Sequence, residues 1–459
     1  MAERSARTHT GPKPPARAGA PRRRESGVVQ EAPDTAVLLA TGAEFRTRSG
    51  ARPKMLCRVG GVSLLERSLR VLRAVGIARV LVVVGRRGTE VAAAAAACDP
   101  NAEIVHDPSW TEGTAASVLA GVRAAATERC LVVMGDHVFD PADVRRLLTA
   151  PGRSAFAVSR DAGREIGGLA GRRPTRLRIG ADGRIRALGH DLTDFDAVSA
   201  GLSVVQVADL LGAVDEDAPP SSWVALRQRL VAAGHEVIAC DTGDFWAAVD
   251  SPEGIKRLER AMWRRYGPKP TDSLLNRVFT RRISGPFTRL LLRTGITPDT
   301  ATYAAFVLTL AAAALVATGE RWLLVVGGIG VILGCALDGV DGELARVSGR
   351  SSRRGAVLDT LLDRYADLAV VVGLVFGAGA TVAALGWGLA AAAGCLLVSY
   401  VHAVGRDTDV RLLLRREFRL LIFAVAAVSG FPLWGLVAVA VPANVDVVRG
   451  VVLLLRATR

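Results

Sequence analysis

After Pro270 the chain runs through long stretches made almost wholly of Ala, Val, Leu and Gly, at 301–318, 322–337, 357–377 and 382–404. A bilayer core takes about 20 such residues as a helix, and lipid tolerates only helices or closed barrels because every backbone polar group must be paired internally. Two further stretches, 412–428 and 433–455, complete an expected set of six spans. Pro442 and Asp446 interrupt the last, so five is the alternative. Arg-rich segments at 277–293, 346–354 and 406–419 alternate with connections of almost no net charge at 319–321, 377–381 and 430–432. The positive-inside rule puts the Arg-rich side, and everything before it, in the cytoplasm. The expectation is a multi-pass protein of the cell membrane with its N-terminal part on the cytoplasmic side.

The first half follows another pattern. Apolar, β-branched runs at 36–40, 80–84 and 130–134 are separated by helical spacing at 63–75, 90–97 and 113–126. Such strands belong to a parallel sheet covered on both faces. The chain therefore divides into a disordered basic tail (1–34), an α/β domain (35–262), a linker with an amphipathic juxtamembrane helix (263–299) and an all-α polytopic membrane domain (300–459). No apolar stretch follows the early charges, so the tail does not read as a signal peptide. Lys and Arg number 58 against 44 acidic residues, a formal charge of +14. The loop arginines account for much of that excess, and the α/β part has no basic stripe interleaved with aromatics, so no nucleic-acid partner is expected. The six cysteines lie far apart without a C-x-x-C pair, which excludes the usual zinc and redox motifs and suits a reducing compartment.

Chemistry concentrates where the second apolar stretch ends and the third begins. Asp338-x-x-Asp341-Gly342-x-x-Ala345-Arg346 is followed, eight residues on, by Gly355-x-x-x-Asp359-x-x-x-Asp363. Helical spacing puts Asp338, Asp341, Gly342 and Ala345 on one face, and Asp359 and Asp363 on one face of the next helix. A short hairpin would bring four carboxylates together at the membrane edge. Unpaired there they would cost about 10 kcal/mol together on insertion scales. Hard divalent cations, Mg²⁺ or Mn²⁺, would neutralise them and clamp a diphosphate. The alternative is ion pairing with Arg346, Arg350, Arg353 and Arg354 in a cytoplasmic loop.

At every fixed position this pattern resembles the signature of the CDP-alcohol phosphotransferase family, eight-residue spacer included. Lys269-Pro270-x-Asp272, Asn276-Arg277, Arg282-Ile283-Ser284 and Thr297-Pro298 resemble the family's entry helix, with Asp299 where Asn is usual. The resemblance covers about 268–459. It implies that Asp338, Asp341, Asp359 and Asp363 hold metal and that Asp363 is also the base that takes the acceptor hydroxyl's proton. Gly342, Ala345, Arg346 and Gly355 would bind the CDP-alcohol, and Arg406, Arg411, Arg415 and Arg416 an anionic acceptor. A positive-inside role explains those four arginines equally well.

In the first half, Leu39-Ala40-Thr41-Gly42-Ala43-Glu44-Phe45-Arg46, with Pro53-Lys54 beyond it, resembles the nucleotide-binding loop of the sugar-phosphate nucleotidyltransferases. Backbone N–H groups of such a loop cradle a triphosphate, and Arg and Lys neutralise it. The likeness continues through 76–85, 113–121 and 132–139. It implies a Rossmann-like fold, with Gly42, Arg46 and Lys54 binding nucleotide and Asp136 and Asp250 as metal ligands. His137 reads as a satisfied loop histidine. Glu44 departs from the pattern by putting negative charge where a Gly is usual.

Together the halves resemble the bifunctional inositol-1-phosphate cytidylyltransferase/di-myo-inositol-phosphate phosphate synthase family. The implied chemistry is a CDP-polyol made from CTP and a polyol phosphate, then transfer of its phospho-alcohol to an acceptor hydroxyl with release of CMP. The resemblance also implies a homodimer. Two alternatives stand beside it: a phospholipid synthase using CDP-diacylglycerol with a silent N-terminal domain, and a transporter or membrane scaffold with a cytosolic ligand-binding domain. Transporters tend to show repeated halves, and no repeat is evident here.

Overall fold

The computed structural model describes residues 31–42, 44–47, 50–160, 174–243, 245–266, 281–405 and 412–457. Most of the expected tail, the motif positions 269–277, and Arg406 and Arg411 lie outside them.

The first half contains strands β1 (Thr35–Leu39), β2 (Glu44–Thr47), β3 (Gly50–Pro53), β4 (Arg58–Val59), β5 (Val62–Ser63), β6 (Arg79–Val84), β7 (Ala102–His106) and β8 (Arg129–Met134). It continues with β9 (His137–Phe139), β10 (Ser154–Ser159), β11 (Arg176–Ile179), β12 (Ile185–Gly189), β13 (Ala197–Gln206), β14 (Val237–Asp241) and β15 (Trp246–Ala248). Its helices are α1 (Leu64–Ala74), α2 (Gly88–Cys98), α3 (Thr114–Ala125), α4 (Pro141–Leu148), α5 (Val207–Gly212), α6 (Trp223–Ala232) and α7 (Pro252–Tyr266).

The main sheet runs β12-β11-β13-β8-β1-β6-β7, with β10 joining β13 to β14. The β8-β1-β6-β7 centre is parallel, Val37 standing opposite Leu81 on one side and Val132 on the other. Alternate residues divide cleanly. Leu38, Val82, Leu131 and Val133 join one core, while Val37, Leu39, Leu81, Val83 and Val132 join the core on the opposite face. That two-sided burial is why these strands read as unbroken apolar runs. It also leaves the carboxyl ends of β1 and β8 as the open edge where a parallel sheet places ligands.

The second half is helical: α8 (Arg281–Thr294), α9 (Pro298–Ala317), α10 (Arg321–Ser348), α11 (Arg353–Gly377), α12 (Val382–Val404), α13 (Arg416–Ser429) and α14 (Pro432–Ala457). Six helices follow the juxtamembrane α8, but not all six of the expected spans are confirmed. Among the described residues four, α9, α10, α12 and α14, are long and apolar enough to cross a bilayer. Helix α11 carries Arg353, Arg354, Asp359, Asp363, Arg364 and Asp367, and α13 has only 14 residues, about 21 Å of rise against a core near 30 Å. Pro442 lies within α14 without ending it. Outer faces carry large exposed apolar side chains such as Leu389, Trp434 and Val448, as a lipid-facing surface requires. Helix contacts are close: a Cβ on Gly373 would lie 2.5 Å from Ala313 O, and one on Gly377 2.5 Å from Val316 O. This is the small-residue packing expected where lipid supplies no hydrophobic drive between helices.

The halves meet at named contacts. Arg67, buried on α1, donates from Nη2 to Val59 O (2.9 Å) and to Val347 O at the end of α10 (3.1 Å). Arg350 donates to Glu66 Oε1 at 2.8 Å, and Arg346 Nε donates to Tyr266 O at 2.9 Å. The β4–β5 turn presses against α8, where a Cβ on Gly61 (φ +80°) would lie 2.6 Å from Leu292 O. Glycine is required there by both conformation and space. Gly61→Ala is expected to destabilise the full chain by at least about 1 kcal/mol. Gly212→Ala, with open space and an ordinary φ, should be nearly neutral. Denaturation midpoints of detergent-purified protein check this.

Candidate active sites

In the soluble half the chain leaves β1 at Leu39, passes the open backbone of Gly42, where a Cβ would touch nothing within 4 Å, and returns through the β2–β3 hairpin to Lys54. Arg46 lies in β2, which pairs with β3. Lys54 is 5% exposed, 2.8 Å from Asp136 Oδ2 and 3.4 Å from Asp250 Oδ1. A buried ammonium needs such partners. Asp136 follows β8, and Asp250 follows β15. The β9–β15 pairing, with His137 opposite Ala248, brings them together. Burial works to raise the Asp136 pKa, but His137, 2.7 Å away at Nδ1, and Lys54 overcome it and hold the carboxyl far below the usual range. His137 is therefore satisfied by Asp136, and its ring stacks on Trp246 with centroids 6.2 Å apart. Glu44 faces Arg86 (3.5 Å) and Arg87 (3.8 Å), so its charge is balanced by two cations that no sequence signal had linked to the loop.

Beside this cluster opens a cleft of about 570 Å³ whose lining includes His137, Ser199, Gly201, Trp223, Arg227 and Asp250. Arg227 is buried, and desolvation pushes its pKa down to about 10.

In the membrane half, Gly349 in the left-handed region ends α10, and Ser352 Oγ accepts from Gly355 N at the start of α11. This tight turn sets the two motif faces against each other. Asp338, Asp359 and Asp363 each place an oxygen within 4.8 Å of the others. Asp341 is not in that trio: it is buried and accepts hydrogen bonds from Thr302 Oγ1 of α9 and from Gly342 N. The expected quartet is thus three converging carboxylates and a fourth tied to α9. Ala345 is half-buried on the same helix, and a Cβ on Gly342 would lie 3.0 Å from Arg346 Nη1.

Arg346 and Arg350 do not pair with this trio in the contacts above; they bind Tyr266 and Glu66. Cations reach the trio from α11, where Arg364 lies 3.5 Å from Asp363 Oδ2, and from α13. Arg416 Nη1 lies 2.6 Å from Asp338 Oδ2 and 2.8 Å from Asp363 Oδ1, and its Nε lies 2.8 Å from Asp367 Oδ1. Arg419 and Arg364 also approach Asp367, at 3.3 and 3.8 Å. Asp367 escaped the sequence reading, although it continues the four-residue spacing of Asp359 and Asp363 by one more turn. Three carboxylates offering only hard oxygen donors within so small a sphere fit a hard divalent cation.

Residues 36–193 match the family "MobA-like NTP transferase domain", and residues 295–445 match "CDP-alcohol phosphatidyltransferase". Across both halves the chain is 38% identical over 431 residues to the bifunctional IPC transferase and DIPP synthase of Rubrobacter xylanophilus, covering 92% of this chain and 96% of that protein. The chain belongs to this bifunctional family. The protein of the same name from Thermococcus kodakarensis is 30% identical, over 80% of this chain and 82% of its own. The membrane half alone is 38% identical over 172 residues to a phosphatidylinositol phosphate synthase of Mycobacteroides abscessus, covering 35% of this chain and 74% of that one. This member of the family is an enzyme, with a nucleotidyltransferase-like half and an integral membrane CDP-alcohol phosphotransferase half.

Two outcomes follow from the charge arrangement. Arg416→Gln, which removes a cation shared by Asp338, Asp363 and Asp367, should cost at least about 1 kcal/mol of stability without added metal. Mg²⁺ should then raise the variant's melting temperature more than that of the unsubstituted protein, as thermal unfolding in detergent will show. Because the Asp136 pKa is depressed on folding, its contribution is present above the unfolded carboxylate value near 4 and is lost as pH falls below it. Asp136→Asn should therefore flatten the acid limb of stability between about pH 4 and pH 2, measured from denaturation midpoints across that range.

Proposed function

We propose that the soluble half joins CTP to inositol phosphate with release of pyrophosphate, and that the membrane half moves the resulting phospho-alcohol to an acceptor hydroxyl with release of CMP. The observation that carries this reading is the presence on one chain of both constellations, Lys54 with Asp136 and Asp250, and the Asp338–Asp359–Asp363 trio. A relative named for both activities matches 92% of the chain.

In the soluble half, the amides around Gly42 together with Arg46 and Lys54 receive the triphosphate. An oxygen of the inositol phosphate attacks the α-phosphorus of CTP, and pyrophosphate departs. In the membrane half, Gly342, Ala345 and Gly355 leave room for the cytidine, and Arg346 faces the phosphates. Asp363 takes the proton of the acceptor hydroxyl as its oxygen attacks the β-phosphorus and the bond to CMP breaks. Mg²⁺ or Mn²⁺, held by Asp338, Asp359 and Asp363 with Asp341 beside them, and by Asp136 and Asp250 in the other half, would supply Lewis-acid stabilisation of the phosphoryl charge. The acceptor alcohol enters from the cytoplasmic face of the cell membrane, where the soluble half also lies, and the assembly is a homodimer.

Detergent-purified protein given CTP, Mg²⁺ and inositol-1-phosphate should release pyrophosphate, and then CMP. Asp136→Asn should abolish the first and spare CMP release from supplied CDP-inositol. Asp363→Asn should spare the first and lower the second by at least about 100-fold, as loss of a general base does. Absence of pyrophosphate release with every polyol phosphate, alongside CMP release from CDP-diacylglycerol, would replace this reading with that of a phospholipid synthase.

A further inference from the structure

The cleft beside Asp250 holds a charge that the chemistry so far has not used. Arg227 sits one turn into α6, and its side chain is among the most enclosed cations of the soluble half, at 3% exposure. Its guanidinium packs over the rings of Phe156 and Trp223, with centroids 5.4 and 5.3 Å away, and Nη1 donates to Ser199 Oγ at 2.9 Å. Its Nε has no hydrogen-bond partner, and among the described residues no carboxylate pairs with it. A buried guanidinium without a counter-charge is costly, and aromatic faces and one hydroxyl offset only part of that cost.

The surroundings favour an anion. Ser199 and Arg227 both line the cleft, as do Ser222 and Trp223 at the first turn of α6 and Thr114 at the first turn of α3. The first turns of α6 and α3, helices of ten and twelve residues, thus border the same space, where helix dipoles favour negative charge, while Trp223 N and Ala225 N are themselves bonded to Thr114 Oγ1 and Ser222 Oγ. The arginine's planar fork suits phosphate oxygens. Asp250, on the same cleft, links it to the Lys54 cluster where the nucleotide is placed.

We infer that Arg227, with Ser199 and the amino end of α6, holds the phosphate of the phospho-alcohol substrate, so that the cleft selects a phosphorylated polyol over the free alcohol. This assignment rests on the cytidylyltransferase reading of the soluble half. Arg227 is then a substrate-binding residue that fixes which oxygen faces the nucleotide.

The test uses the detergent-purified full chain with inositol-1-phosphate, inorganic phosphate and free inositol as probes. Both phosphates should raise the melting temperature of the unsubstituted protein and free inositol should not. In Arg227→Gln the KM for inositol-1-phosphate should rise ten- to a hundredfold, with the KM for CTP and the CTP-induced melting shift unchanged. Arg227→Lys should recover part of the loss. The unchanged CTP shift separates this from a folding defect. Should Arg227→Gln fail to fold, Ser199→Ala should still raise the same KM severalfold. Unaltered inositol-1-phosphate and phosphate binding in the variants would overturn the assignment while leaving the cytidylyltransferase reading intact. Phosphate-induced stabilisation that Arg227→Gln loses, in a protein that releases no pyrophosphate, would keep the anion site and remove that reading.

Discussion

Carboxylates inside an apolar helical bundle have to be balanced by cations, and in this protein one guanidinium meets three of them. Arg416, at the first turn of α13, reaches Asp338 on α10 and Asp363 and Asp367 on α11. It ties three helices together at the point where the phosphotransferase motif lies. Replacing such a network with apolar side chains could give a bundle of equal stability, but without oxygen donors for a metal or a base for a hydroxyl. The polar cluster is best understood as a functional feature that the surrounding helices stabilise. The close Gly373 and Gly377 contacts with α9, and the buried Thr288–Glu343 hydrogen bond between α8 and α10, show how tightly those helices hold it.

The same requirement explains why α11 departs from the pattern of a membrane span. Its first half carries the charged residues of the motif and its second half is apolar. Helix α13 is short, and its first turn carries Arg416 and Arg419 into the bundle, where both meet Asp367. Electrostatics at the site thus shapes the architecture around it.

Docking of the soluble half uses the two turns nearest the chemistry. Arg67 and Glu66 on α1 hold Val347 and Arg350, just past the α10 motif, while Arg346 within the motif is held by Tyr266 at the end of α7. The residues that close the phosphotransferase hairpin are therefore also those that attach the cytidylyltransferase-like half. Arg346 and Arg350 both take part in this seam, through contacts that their local sequence pattern does not reveal.

The sequence by itself determined the class of each half. Period-free apolar runs alternating with helical spacing specify a two-sided parallel sheet, long apolar stretches specify membrane helices, and the spacing of Asp338, Asp341, Asp359 and Asp363 specifies the faces on which they lie, because helix and strand periodicities are local properties. The tertiary structure alone decided which charges meet. Arg416 and Asp338 are 78 positions apart, Lys54 and Asp250 are 196 apart, and the aromatic enclosure of Arg227 draws Phe156 from a strand far along the chain. Glu44, whose charge departs from the loop pattern, has Arg86 and Arg87 beside it. Coulombic and desolvation terms depend on distance and burial in three dimensions, so charge partners, unlike periodicity, become legible only when the chain is folded.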